Sequence, residues 1–111
     1  MKTFIFIQTQ FEAIHRWSNA PDEVSFLRNP HRHVFHVRMR FNSTYDREIE
    51  FILMKRNLLD YVTKAFHLKD LGEMSCEKIC ECLKIAYPTS CYISVSEDGE
   101  NGAELIDVAI S

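Results

Sequence analysis

Glycine and proline are scarce in this 111-residue chain, three of each, so the sequence is neither a linker nor a disordered tail. Long apolar runs are also missing. No stretch approaches the roughly 18 residues that span a bilayer, and "MKTFIFIQTQ" at the start is interrupted by Gln8 and Gln10 without a small-residue cleavage site after it. A soluble cytoplasmic protein with no membrane partner is the expectation. Positive charge is not in excess: the formal net charge is -3 and the isoelectric point about 5.9, which argues against nucleic acid as a partner. The four cysteines, Cys76, Cys80, Cys82 and Cys91, have neither the spacing of paired CxxC knuckles nor that of a secreted disulfide framework. Reduced thiols follow.

With 46% hydrophobic residues the chain can bury one modest core, and residues 1–111 are expected to form a single domain. Lys2 to Trp17 alternates in polarity and is rich in Phe, Ile and Thr, the pattern of a long strand in which Ile5, Ile7, Thr9, Phe11, Ala13 and His15 share a face. Ser18 to Pro30 reads as a long loop. A second strand runs from His31 to about Phe41, and "NSTYD" is turn chemistry. From about Glu48 to Phe66 a helical stripe of Phe51, Lys55, Leu58, Leu59, Val62 and Phe66 predicts an amphipathic helix. Ser75 is the expected N-cap of a second helix that ends at Pro88. It would carry Cys80 on an apolar stripe with Ile79, Leu83 and Ala86. "CYISVSEDGENGAELIDVAI" then gives two short strands around Asp98-Gly99 and Asn101-Gly102, a hairpin signal. The order ββααββ predicts an α+β domain: a four-stranded antiparallel sheet with both helices on one face. Its open apolar edges call for partner subunits.

The chemistry concentrates in "NPHRHVFHVRM", Asn29 to Met39. On a strand, His31 and His33 point to one face with Phe35, Val37 and Met39, and His36 points to the other. Two such imidazoles can grip one metal ion or form a polar rim. Antiparallel pairing across the Trp17 to Pro30 loop adds His15 to the same end of the sheet. Three imidazoles with an open fourth position describe a catalytic zinc site, since nitrogen ligands suit zinc better than magnesium or calcium. The stretch from Arg28 to Arg40 holds Arg28, Arg32, Arg38 and Arg40 without one acid. They make either a solvated strand face or a zone that attracts an anionic small molecule. Cys76 falls in the first turn of the second helix, where the helix dipole would lower its pKa and give it a chemical role. The simpler reading is a small helix-start residue.

Five segments in order, "FEAIHRW" from Phe11, "HRHVFHVRM" from His31, "IEFILMKRNLLDYV" from Ile49, "MSCE" from Met74 and "ISVSED" from Ile93, resemble the successive motifs of the 6-pyruvoyl-tetrahydropterin synthase and 6-carboxytetrahydropterin synthase family. The resemblance covers nearly the whole chain. It implies a tunnelling fold, in which each subunit contributes its sheet to a β-barrel closed by neighbours, as a trimer or hexamer. It implies zinc on His15, His31 and His33, a pterin substrate such as 7,8-dihydroneopterin triphosphate, and a lyase serving pterin or queuosine-type deazapurine biosynthesis. Glu97 matches the glutamate that anchors the pterin, and a carboxylate suits that pair of N–H donors. Glu77 matches a glutamate that lines the site.

Two departures stand out. Leu27 occupies the position of the family's catalytic cysteine, and Phe66 that of an aspartate whose histidine partner is best matched by His67. Glu23, in the loop before the histidines, and Cys76 are the candidates to replace the cysteine. His67 is the candidate shuttle, or else a helix cap. The competing function is a non-catalytic module on the same fold that binds a pterin or purine nucleotide.

Overall fold

A computed structural model describes residues 1–108. The strands and helices follow the expected order: β1 (Thr3–His15), β2 (His31–Ser43), α1 (Phe51–Ala65), α2 (Cys76–Ala86), β3 (Ser90–Glu97) and β4 (Asn101–Ile106). The strands form one antiparallel sheet in the order β1-β2-β3-β4. The long loop between β1 and β2 is not wholly irregular, because Asp22–Arg28 coils into a 3-10 segment kinked at Val24.

Both helices cover the sheet face that carries Ile7, Phe11, Phe35, Val37, Met39, Ile93 and Val95, and together they close one hydrophobic core. On α1 the buried stripe is Leu58 and Val62, flanked by Met54, Tyr61 and Ala65 and continued by Phe66. Phe51, Lys55 and Leu59, expected on that stripe, are exposed. The helical period holds, and the buried face is rotated by part of a turn, because apolar residues nearly encircle the helix, with Ile52 and Leu53 exposed as well. Glu50 caps α1 by accepting from the Ile52 N–H, so the helix starts at Phe51 rather than near Glu48. Ser75 caps α2 as expected, accepting from the Lys78 N–H. Cys80 is buried with Ile79 and Leu83, whereas Ala86 at the helix end is exposed.

Arg32, Arg38 and Arg40 lie on the opposite sheet face from His31 and His33, as the two-residue period requires. Arg32 pairs with Glu12 at 2.7 Å, Arg38 stacks over Phe6, and Arg40 over Phe4 and Tyr92. Arg28 is tied to Asp22 and to the Ala20 carbonyl. The expectation that these cations draw an anion to the histidines is therefore not met within the chain.

The segment after α1 runs along the outer edge of β1. Leu68 and Leu71 donate to the carbonyls of Glu12 and Ile14, while Ile14 and Arg16 donate to Lys69 and Gly72. The chain thereby covers the β1 edge beside the histidines. Among the described residues no helix is long and apolar enough to cross a membrane.

Candidate metal centre

The register of β1 and β2 places His15 opposite His31, and His33 opposite Ala13. Across the sheet Glu97 sits opposite Phe35. All four belong to the helix-covered face, so they form the polar end of the same surface whose remainder is core. Their ligand atoms lie within 4.8 Å of one another. The ring centroids of the three histidines are 4.6, 5.0 and 5.5 Å apart.

The outer nitrogens explain this convergence. His15 donates from Nδ1 to the Met74 carbonyl at 2.8 Å, His31 from Nδ1 to the Asn29 carbonyl at 2.9 Å, and His33 from Nδ1 to the Asp98 carboxylate at 2.7 Å. All three partners are pure acceptors, so each neutral ring carries its proton on Nδ1 and a lone pair on Nε2. The Nε2 atoms of His15 and His33 are buried without a hydrogen-bond partner. Glu97 Oε2 is 2.8 Å from the first and 3.7 Å from the second, close in distance but not aligned as a hydrogen bond. Lone pairs and a carboxylate converging on one buried point suit a cation. The donor set, imidazole nitrogen and one carboxylate oxygen, is one that zinc accepts.

An open pocket of about 450 Å³ adjoins the cluster. His15, His31 and Glu97 form its polar floor; Trp17, Leu27, Met74 and Cys76 supply an apolar side, and Glu77 and Asn101 line it as well. At its rim Glu73 accepts from the Ser18 hydroxyl and backbone N–H and pairs with Arg16 at 3.0 Å. These bonds from Ser18, and then the Arg16 charge, hold the Glu73 carboxyl below its usual pKa. Gly102, the second residue of β4, also matters. A Cβ on Gly102 would lie 2.0 Å from the Val95 carbonyl oxygen, so only glycine allows β4 to approach β3 beside the pocket.

The other candidates are placed differently. Cys76 lines the pocket, but its thiol is pushed up to about 12, first by burial and next by the nearby Glu97 charge. The lowering expected from its position in the first turn is overridden by that burial. Glu23 is exposed in the 3-10 segment and is not among the residues that line the pocket. His67 accepts the Glu12 backbone N–H on Nδ1 at 3.1 Å, the reverse tautomer to the three clustered histidines, and it also stands outside the pocket lining. Leu27 does line the pocket, and Phe66 is core, stacked on Phe11 at 5.2 Å. His36 points to the other sheet face and takes no part in the cluster.

Asp98, Asn101 and the Met74 and Asn29 carbonyls were not singled out from sequence. Asp98-Gly99 reads there as a turn and nothing more, and a backbone acceptor leaves no residue signature.

No family sequence model matches the chain, and no curated protein matches it. Among solved structures it is similar to 6-pyruvoyl tetrahydropterin synthase of Caenorhabditis elegans, with a TM-score of 0.72, 13% sequence identity, and coverage of 96% of each chain. The fold is the tunnelling fold. At that identity the likeness establishes the architecture alone.

Proposed function

We propose that this protein is a zinc-dependent lyase of the 6-pyruvoyl-tetrahydropterin synthase or 6-carboxytetrahydropterin synthase type, acting on 7,8-dihydroneopterin triphosphate or a related pterin in pterin or queuosine-type deazapurine biosynthesis. The observation that carries the metal is the convergence of three Nε2 lone pairs, each fixed by an acceptor behind its ring. His15, His31 and His33 would hold the ion. Bound there, zinc would act as a Lewis acid that acidifies a substrate hydroxyl.

The chain's own groups divide the remaining work. Glu97, whose Oε1 accepts from the Asn101 side chain at 3.3 Å, reaches both the cluster and the pocket. It would receive the pterin's paired N–H donors, and Glu77 would add a second carboxylate to the lining. The apolar side formed by Trp17, Leu27 and Met74 suits a flat heterocycle. Cys76 is the catalytic candidate that lines the pocket in the single chain. Glu23 and His67 would enter a site only from a neighbouring copy.

Such copies are part of the proposal: the chain forms a homo-oligomer, a trimer or hexamer, working in the cytoplasm as one pterin-synthase-like domain. Supporting this, the outer side of β4 pairs with no strand among the described residues, and neither does the outer side of β1 before Glu12. Exposed Phe6 and Ile106 lie on those outer strands.

A second reading has its own support. Leu27 cannot move a proton and Cys76 is held as a neutral thiol, which favours a module that binds a pterin or purine nucleotide without turnover. Metal analysis of the purified protein, followed by incubation with 7,8-dihydroneopterin triphosphate and mass spectrometry, separates the two. The lyase requires about one zinc per subunit and release of triphosphate or a two-carbon fragment. Zinc without product would leave the binding module, and absence of zinc would overturn both forms of the metal site.

A further inference from the structure

We propose that Asp98 is a positioning residue of this centre: its carboxylate fixes the His33 tautomer and aims Nε2 at the shared point. The inference rests on the reading that the three histidines bind a metal. His15 and His31 are oriented by backbone carbonyls, so His33 is the member of the trio whose orientation depends on a side chain.

The β3–β4 turn makes this possible. Asp98 and Gly99 both have positive φ, 58° and 73°, and Glu100 closes the turn by donating to the Glu97 carbonyl. The Asp98 N–H donates to the Val34 carbonyl at 2.7 Å, and the Val34 N–H donates back to Asp98 Oδ1 at 3.0 Å. One carboxylate oxygen thus completes the ladder at the end of β3, while the other, Oδ2, receives the His33 Nδ1–H at 2.7 Å. Two donors meet two acceptors.

Asparagine cannot satisfy that pair. With its oxygen toward Val34, its amide N–H faces His33, which must then accept on Nδ1 and carry its proton on Nε2, where the metal would sit. With its oxygen toward His33, two N–H groups oppose each other at Val34. A carboxylate behind a metal-binding imidazole is the usual device for setting ring orientation and basicity, and its loss costs about 10- to 100-fold in metal affinity.

The test compares the parent with Asp98→Asn by 15N NMR of the histidine rings in metal-free protein, then by cobalt titration followed through the visible absorption of the bound ion. In the parent, His15, His31 and His33 should all carry the proton on Nδ1. In the variant His33 should move toward the Nε2–H form while His15 and His31 keep theirs, and cobalt affinity should fall by about 10- to 100-fold. A hairpin role alone would lower stability without moving the His33 tautomer, and that result would overturn the proposal. So would a parent His33 protonated on Nε2, a measurement that needs no variant to fold. A parent with the expected tautomers that binds neither cobalt nor zinc would instead overturn the metal reading.

Discussion

His15 Nε2 and Glu97 Oε2 lie 2.8 Å apart with no hydrogen bond aligned between them. Because His15 gives its ring proton to the Met74 carbonyl, the pair sets a lone pair against a carboxylate in a largely buried place. In the metal-free protein this contact opposes folding, and a bound cation turns it into two attractive interactions. Zinc at 100 times its dissociation constant should stabilise the protein by about 2.7 kcal/mol. For a domain of this size that corresponds to a melting temperature higher by roughly 10–20 °C. Glu97→Gln should behave oppositely in the two states: as stable as the parent or more so with chelator, and less stabilised by zinc. Parallel melts with chelator and with zinc check both; coincident parent curves would count against the site.

His31 and His36 separate ligand from bystander on a single strand. His31 belongs to the cluster, and His36 faces the other side of the sheet near Gly99. His31→Ala should lose more zinc affinity than the roughly 100-fold upper figure for removing an outer hydrogen-bond partner. His36→Ala should bind zinc like the parent. Competition against a chromophoric chelator gives both constants, and equal losses would show that the histidine-rich strand binds metal nonspecifically.

Much of this was legible from residue order. The period of two separates His31 and His33 from His36 without any structure, and antiparallel pairing brings in His15. The sheet, both helices and the Ser75 cap are equally local signals. What escaped was written in another form. Two of the three acceptors behind the rings are backbone carbonyls, which no side chain marks, and the third belongs to Asp98, whose turn chemistry conceals its second role. The raised pKa of Cys76 escapes the sequence for a related reason: its helix position is local and visible, whereas the burial that dominates its pKa arises only when α2 docks beside Glu97.

Phe66 shows why restoring a family residue can fail. It is buried between Phe11 and Tyr61, with ring centroids 5.2 and 5.9 Å away. Phe66→Ala should cost about 3–5 kcal/mol, read from urea unfolding. Phe66→Asp should cost more, because it buries a carboxylate without a partner, and should yield no gain in activity. A stable Phe66→Asp protein would mean that this segment can turn its side chain out of the core.

Cys80 gives a pH dependence with a definite sign. Burial raises its pKa from 9.0 to about 11. Below pH 9 both folded and unfolded states keep the proton, so the thiol contributes no slope. Above it the unfolded state releases its proton first, and stability falls as pH rises toward about 11. Unfolding free energies measured across that window should decline less steeply in Cys80→Ala than in the parent. At neutral pH, alkylation of the native protein should reach half-buried Cys82 well before Cys80.

Leu27 offers the sharpest division between enzyme and binding module. It lines the pocket beside His31 and Trp17, at the position where the family it resembles carries a catalytic cysteine. If zinc and Glu97 already position a pterin and only proton transfer is deficient, Leu27→Cys supplies a thiol on the apolar side without disturbing the cluster. General acid–base catalysis contributes about 10²- to 10⁴-fold, so turnover of 7,8-dihydroneopterin triphosphate should rise by a factor in that range, with pterin affinity nearly unchanged. The pH profile should gain a limb that the parent lacks, reporting titration of the new thiol. Unchanged turnover with intact zinc and intact pterin binding would mean that the missing cysteine does not limit the reaction, and that this pocket holds its ligand rather than transforming it.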